Sequence, residues 1–407
     1  MMYNFLALIK FAFKYLWSRP LAAALNILLL ALGLASITLV LLVSSQIDNA
    51  FERDLQGIDV VVGAKGSPMQ LILAGVFHID TPAGNISLAE VKALQKNPQI
   101  AKLIPISVGD SFRGFRIVGT DASYAAHYAA TLAKGSLWTQ TMQAVLGAEV
   151  ALQTGMQVGN TFIGSHGLGQ EGHAHGNNPY TVSGVLAPCA CVLDRLILTA
   201  TESVWQVHEK AIEGDTPLDA ADKKAIADER EITLALITYN SPLAAVSFPR
   251  MVNTTTNMQA AAPAVEITRL LRMVGVGTDV LRGFGWVLLL TAGLSVFIAL
   301  WNAVRERNAD LAMLRMLGAS PTKLAGLLLA EALCLAVLAA ILGLGLGHLL
   351  THAVGWMLQA DRSLPITGWI WLSAEWVIPA LAAVVAVIAT LLPAVAAYRV
   401  DVQQLLK

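Results

Sequence analysis

Four long apolar stretches constrain this 407-residue chain more than any other feature. A helix needs about 20 apolar residues to span the hydrocarbon core of a bilayer. The four stretches cover residues 21–43, 283–304, 324–350 and 376–397. Only 14% of the residues are charged, whereas soluble domains carry roughly 25%. The sequence therefore predicts an α-helical membrane protein with four transmembrane helices.

The first stretch is longer than the apolar part of a signal peptide and is closed by no clear A-x-A site, so we interpret it as an uncleaved anchor.

The distribution of lysine and arginine predicts the orientation of these helices. Nine basic residues and only three acids lie at both termini and between the second and third stretches. We therefore expect a membrane protein with both termini cytoplasmic and residues 44–282 outside. The short segment 351–375 lies on that same outer side, whereas 305–323 and 398–407 are cytoplasmic.

Residues 44–282 are long enough for a domain of their own. They alternate short apolar runs with charged, periodic stretches, which indicates an α+β domain of one or two lobes. We expect strands at 59–63, 104–108, 112–118, 181–186, 193–199 and 234–238, the second and third of which meet near Gly109-Asp110. Helices are expected from Ser87, where Glu90 completes a capping box, and at 220–230 and 257–273.

The sequence contains no G-x-x-x-x-G-K-[ST] phosphate loop, and the glycine-rich run at 63–67 has the wrong spacing for one. It also lacks an H-E-x-x-H run and a recognisable Ser/His/Asp order. We therefore expect a non-catalytic chain, with any ATP and Mg²⁺ bound by another subunit.

The third apolar stretch carries features that suggest helix packing. Gly343 and Gly347 form a G-x-x-x-G pattern, which lets two helix backbones approach closely. Ordinary glycine enrichment of membrane helices is the alternative. Glu331 is costly in hydrocarbon, so it either packs and couples helices or extends to the interface.

Residues 1–20 form either an amphipathic interfacial helix or an extension of the first span.

A glycine-rich stretch of the external segment concentrates potential metal ligands. His166, His173 and His175 lie within it, and Cys189 and Cys191 follow. Imidazole and thiolate are the usual ligands of zinc and copper. A disulfide between cysteines two apart would be strained, so we expect a free or metal-bound pair. The site would take zinc or another transition metal; a flexible exposed loop is the alternative. His348 and His352 are better interpreted as interfacial histidines than as a second site.

The membrane segments resemble a known family. The motif from Glu306 through Leu317-Gly318-Ala319-Ser320, followed by Glu331 and the glycines, is similar to the signature of the FtsX/MacB-like permeases of ABC systems. The ending from Pro393 to Arg399 is similar to the same family's C-terminal end. The external matches are patchier, in Gly147–Ala151, Val158–Asn160 and Val182–Asp194. Pro188-Cys189-Ala190-Cys191 departs from the small and hydroxyl residues that relatives have there.

The resemblance implies a homodimer in the bacterial inner membrane that works with two cytoplasmic ATPase subunits by mechanotransmission. It implies that the polar helix at 305–323 contacts the ATPase, and our candidates for this contact are Arg305, Arg307, Asp310 and Arg315. A positively charged loop that touches only lipid headgroups is the alternative. The external domain would act on a periplasmic substrate or adaptor, and we expect no nucleic-acid partner.

Three functions remain open on the sequence alone. The chain could serve efflux, it could extract lipoproteins, or it could be a signalling protein that controls a periplasmic enzyme.

Overall fold

The computed structural model describes residues 12–14, 17, 20–166, 178–213, 226, 229–306, 313, 316–359 and 366–398. The helices are α1 (Pro20–Leu55), α2 (Pro68–Gly75), α3 (Leu88–Gln95), α4 (Ala122–His127), α5 (Ala148–Thr154), α6 (Thr201–Glu213), α7 (Ala244–Thr255), α8 (Pro263–Glu306), α9 (Pro321–Gln359) and α10 (Val377–Tyr398). The strands are β1 (Val60–Ala64), β2 (Ile86–Ser87), β3 (Ile100–Phe112), β4 (Phe115–Thr120), β5 (Leu132–Gly135), β6 (Gln143–Leu146), β7 (Thr161–Phe162), β8 (Ser165–His166), β9 (Tyr180–Leu186), β10 (Leu196–Ala200), β11 (Glu231–Ile232), β12 (Leu234–Tyr239) and β13 (Met258–Ala261). Short 3₁₀ turns cover Val192–Arg195 and Ser373–Trp376.

The four apolar stretches lie in α1, α8, α9 and α10, each of which is long and apolar enough to cross a membrane. The predicted fold class is confirmed: four candidate membrane helices carry an α+β domain between the first and the second. The chain divides into two compact units. Residues 50–272 form one, the external domain, and the remaining residues form the other, the membrane unit.

The external domain is built on one large mixed sheet, and β2 pairs separately with β11. Its strand order is β13-β1-β12-β3-β4-β10-β6-β9-β5, with β7 on β9 and β8 on β3. The long strand β3 belongs to both halves of the sheet. Its first part pairs with β12, from Ile100 to Ile106, and its last part pairs with β4, from Ser107 to Phe112.

Two hydrophobic clusters flank this shared strand. One cluster surrounds Phe248 and Val60 and gathers side chains from β1, β12, β13, α3 and α7. The other surrounds Leu146 and Tyr180 and gathers side chains from β4, β6, β9, β10 and α5. The expected two lobes are thus two cores on a single sheet.

The β3–β4 hairpin turns later than the sequence predicted. The predicted meeting point at Gly109-Asp110 is an irregularity in the ladder, where the pairing register shifts between Val108 and Ser111. The turn lies at Arg113 and Gly114, whose φ angles are 49° and 81°. Two consecutive left-handed residues match the twist of a two-residue hairpin. The prediction took a glycine to mark the turn when it marked a bulge.

Two other predicted boundaries were wrong. Residues 192–195 form a 3₁₀ turn, and the strand there begins only at Leu196. The expected helix at 257–273 begins instead with β13, and Pro263 then opens α8. Proline suits the first turn of a helix, where its missing N–H costs no hydrogen bond. The helix expected after Ser87 is present, but the Ser87 side chain makes no capping bond. The helix expected at 220–230 lies mostly outside the described residues.

Candidate functional site

The connector, residues 305–323, joins the second and third membrane helices. Arg305 lies exposed at the end of α8. Arg307, Asp310 and Arg315 lie outside the described residues. On the far side, Gly318 has a φ of 91°, a conformation that glycine adopts without steric cost. The chain then enters α9 at Pro321.

Both ends of the connector are anchored in one buried cluster. Leu300 and Val304 end the buried face of α8, and Leu324 and Leu328 begin that of α9. Ala319, immediately after the turn, packs against the same cluster. The cluster also includes side chains of α1 and α10, namely Leu30, Leu34, Ala389 and Ala397. All four membrane helices therefore contribute side chains to the cluster that anchors the connector.

The two glycines of the G-x-x-x-G pattern face α1 of the same chain. A Cβ at Gly343 would lie 2.7 Å from Cβ of Leu34, and one at Gly347 would lie 2.5 Å from Cβ of Thr38. Real Cβ atoms do not approach other atoms this closely, so the helices depend on glycine at both positions. Gly345 meets nothing within 4 Å. The alternation of filled and open positions shows which face of α9 carries the contact.

Several polar side chains are buried inside the bundle. Glu331 retains only 7% of its accessible surface. Asn26 of α1 accepts a hydrogen bond of 2.6 Å from the hydroxyl of Ser295 on α8. Such side chains in membrane helices tend to face protein partners. The coupling role of Glu331 stays a prediction.

The segment after α9 is held to the bundle by polar contacts that the sequence analysis did not anticipate. His348 lies 2.7 Å from the carbonyl oxygen of Gly368 and 2.8 Å from a carboxylate oxygen of Glu375, which is fully buried. Gln46 of α1 donates to the carbonyl of Thr367 and accepts from its N–H. The sequence contained a signal for these contacts, because polar residues flank the segment 351–375 where the third apolar stretch ends and the fourth begins.

Two family descriptions match this chain. Residues 23–266 match the MacB-like periplasmic core domain, and residues 282–402 match the FtsX-like permease C-terminal domain. The first match alone covers more than half of the chain. The chain belongs to the FtsX/MacB-like family of ABC transporter permeases.

A curated relative of this permease is the pyoverdine export ATP-binding/permease protein PvdT of Pseudomonas fluorescens. It is 23% identical over 363 residues, which is 84% of this chain. The chain spans about half, 51%, of that relative's length.

Two solved structures are also similar. The periplasmic region of MacB from Actinobacillus actinomycetemcomitans shares 14% identity, with a TM-score of 0.34 over 54% of this chain and 95% of that one. The extracellular domain of the noncanonic ABC-type transporter YknZ from Gram-positive bacteria shares 11% identity, with a TM-score of 0.30 over 49% of this chain and 98% of that one.

The cysteines of this permease are not the free pair that the sequence suggested. Cys189 and Cys191 are joined in a disulfide. The expectation of a free or metal-bound pair was wrong for this state, because a disulfide offers no thiolate to a metal. His166 lies in β8, in register with Asp110 of β3. His173 and His175 lie outside the described residues, and no cluster of three metal-ligating side chains occurs within the described part of the chain. A metal site on the histidines stays a prediction.

The external domain of the permease also contains a buried polar group that the sequence analysis missed. His78 retains 7% of its accessible surface and lies 3.0 Å from the hydroxyl of Tyr124. Burial, followed by the positive charges of Arg116 and Arg195, lowers the pKa of His78 to about 3. The imidazole is therefore neutral at physiological pH. Nothing in the sequence around His78 distinguishes it from an exposed loop histidine.

Proposed function

We propose that this permease transmits the work of a cytoplasmic ATPase, supplied by a partner subunit, to its external domain. The observation that carries the proposal is the anchoring of both connector ends in the single buried cluster of the bundle. A packed interior has few alternative arrangements and transmits strain. Movement of Arg305 and its neighbours by a docked ATPase would consequently reposition all four helices together.

The close contact between α9 and α1 supports the same route. Gly343 and Gly347 bring the α9 backbone against Ala31 and Ala35, whose carbonyl oxygens would lie 3.0 and 3.2 Å from added Cβ atoms. The chain of α1 continues into the external domain, beginning at Ala50. Helix α9, which follows the connector, is thus packed on α1, which continues into the external domain. The permease acts as a homodimer with two ATPase subunits and moves a periplasmic substrate or partner.

Charge reversal in the connector tests this proposal. The variant combines Arg305→Glu, Arg307→Glu, Asp310→Lys and Arg315→Glu. We expect loss of co-purification with the cognate ATPase and loss of permease-dependent stimulation of its activity. Charge pairs at the rim of an interface mainly set encounter and specificity, so binding of the ATPase to the wild-type permease should weaken as the salt concentration rises.

Arg282→Glu is the matched control. Arg282 is an exposed arginine on the same helix, α8, and forms an ion pair with Asp279 at 3.4 Å. It lies at the opposite end of the membrane-spanning stretch, so its reversal should leave ATPase binding unchanged. If the connector variant still binds the ATPase with wild-type affinity, or if Arg282→Glu weakens binding equally, the proposed docking is wrong.

A further inference from the structure

The external domain closes a very small covalent ring between Cys189 and Cys191, which are two residues apart. The stabilisation that a disulfide provides grows with the length of the loop that it closes. A ring this short removes little entropy from the unfolded chain. Global stability therefore does not account for this bond.

The outer side of the ring is accessible. Pro188 and Ala190 are exposed, and the two cysteines are half-buried. Ala190 has a φ of 54°, a left-handed conformation that residues with a Cβ adopt at a cost. Opening the ring would allow Ala190 to relax, which favours reduction.

The inner side of the ring is firmly seated. The carboxylate of Asp194 accepts hydrogen bonds from the N–H groups of Cys189 and Ala190, at 3.0 and 2.7 Å. A Cβ on Gly147 would collide with the carbonyl oxygens of Leu193 and Asp194, so this turn packs directly on the start of α5.

The ring is also bonded to the last turn of α1. The N–H of Val192, the residue after Cys191, donates to a carboxylate oxygen of Asp54 at 2.9 Å, and this bond is buried. The backbone carbonyl of Asp54 accepts from the hydroxyl of Tyr128 at 2.8 Å. The redox state of the cysteines is thereby linked to the position of the α1 terminus within the external domain.

We propose that Cys189–Cys191 is a thiol–disulfide exchange site whose substrate is an extracytoplasmic dithiol protein. A thiolate of that protein attacks Sγ of Cys191, the S–S bond breaks, and Cys189 leaves as a thiolate and takes up a proton. The second thiol of the protein then attacks the mixed disulfide, releases Cys191 as a thiol and leaves the protein oxidised. Two electrons and two protons pass from the dithiol to the cysteine pair.

The surroundings of the two sulfurs determine this order of attack. Sγ of Cys189 lies 3.4 Å from a carboxylate oxygen of Asp194, and that charge repels an incoming thiolate. The N–H of Cys191 points to the same sulfur at 3.3 Å and offsets part of the repulsion between Asp194 and the departing Cys189 thiolate, which prompt protonation then removes. After protonation, the Cys189 thiol can donate to Asp194. Reduction also frees the turn that holds Val192 on Asp54.

The test uses the full-length protein in detergent with Cys334→Ala, because Cys334 is the remaining cysteine and is not disulfide-bonded. Dithiothreitol serves as the dithiol probe, and a maleimide–polyethylene glycol reagent reports free thiols. We expect no labelling before reduction and two labels per chain after about 1 mM reductant under native conditions. Labelling without reductant, or only after denaturation, would overturn the proposal.

Hydrogen exchange then measures the link to α1. On reduction, we expect the amides of residues 189–194 to exchange at least about tenfold faster, while those of β6 stay unchanged. The double variant Cys189→Ser and Cys191→Ser should reproduce the reduced protein without reductant. Unchanged exchange at Val192 in both samples would show that the ring is a passive cross-link.

Single-cysteine variants test the order of attack. With oxidised glutathione as the probe, Cys191 in the Cys189→Ser variant should form a mixed disulfide at least about tenfold faster than Cys189 in the Cys191→Ser variant. Asp194→Asn should narrow that difference, since it removes the repelling charge and keeps the side-chain shape. Equal rates in the two single variants would refute the assigned order. These readouts need no ATPase, so they stand or fall independently of the proposed coupling.

Discussion

The membrane unit and the external domain reach a packed interior with different residues. Half of the buried cluster in the membrane unit is alanine, with glycines at the α1–α9 contact. The clusters of the external domain consist mainly of valine, isoleucine, leucine and aromatic side chains. In lipid, burial of large apolar groups provides no driving force between helices, so close approach of small residues takes its place. In water, the buried apolar area itself drives folding.

The outer surfaces differ in the same sense. Exposed large apolar side chains concentrate on α8, α9 and α10, for example Leu290 at 72% and Leu349 at 64% exposure. In water these would be a liability, whereas lipid covers them. Two rules of packing thus operate within one chain, and substitutions can probe each rule separately.

The largest expected effect comes from truncating a large side chain in the hydrophobic core of the external domain. Phe248 is fully buried and contacts the ring of Tyr239, with centroids 5.6 Å apart. Phe248→Ala should lower the unfolding free energy of this domain by about 3–5 kcal/mol, measured from hydrogen exchange of β12 in the full-length protein. The control Val246→Ala lies on the same helix but is 80% exposed, and it should change stability by less than about 0.5 kcal/mol. Similar losses in the two variants would show that α7 is not part of the core.

The next effect comes from adding a single methyl group to the membrane unit. Gly347→Ala places a Cβ 2.5 Å from Cβ of Thr38. It should destabilise the α1–α9 contact by about 1–3 kcal/mol, as overpacking does, and lower the thermal midpoint in detergent. Gly345→Ala adds the same methyl group on the same helix, where nothing lies within 4 Å. Alanine has the higher helix propensity, so equal destabilisation of the Gly345 variant would show that the close contact with Thr38 is not the cause.

A pH-dependent effect is expected in the external domain. Because the pKa of His78 falls from 6.5 to about 3 on folding, the unfolded chain binds a proton below pH 6.5 that the folded domain does not. The contribution of His78 is constant above pH 6.5. As the pH falls below 6.5, stability is lost at roughly 1.4 kcal/mol per pH unit.

His78→Asn tests this dependence, because asparagine tolerates the left-handed φ of 54° found at this position. Urea titrations at pH 7.5 and 5.5 should show a smaller difference between the two pH values for the variant than for wild type. The comparison uses the difference within each protein, so a general destabilisation of the variant cancels. Equal differences would place the proton uptake elsewhere.

The smallest expected effect separates a real helix cap from an apparent one. Asp121 caps α4, since its carboxylate accepts from the N–H of Ser123 at 2.8 Å. Asp121→Ala should cost about 1 kcal/mol. Ser87→Ala should cost less than about 0.5 kcal/mol, because the Ser87 side chain makes no capping bond. Hydrogen exchange of the first turns of α4 and α3 measures both, and a larger loss at Ser87 would restore the capping box that the sequence suggested.

The sequence by itself determined the membrane character of this chain, the four apolar helices and the family. The membrane character and the helices follow from composition and periodicity, which act locally and need no knowledge of partners. The family follows from the resemblance of the motif that begins at Glu306. It also identified Gly343 and Gly347 as candidates for close packing, since only small residues permit it.

The tertiary structure decided what depends on distant residues meeting. It showed that Gly109 lies in a bulge of β3 and not in a turn, because β3 pairs with β12 along its first part and with β4 along its last part. It directed the glycines of α9 towards α1. It joined Cys189 to Cys191 and placed Asp54, far away in the sequence, against the N–H of Val192. A residue type limits the bonds that a side chain can make, but only the fold determines which partner stands within bonding distance.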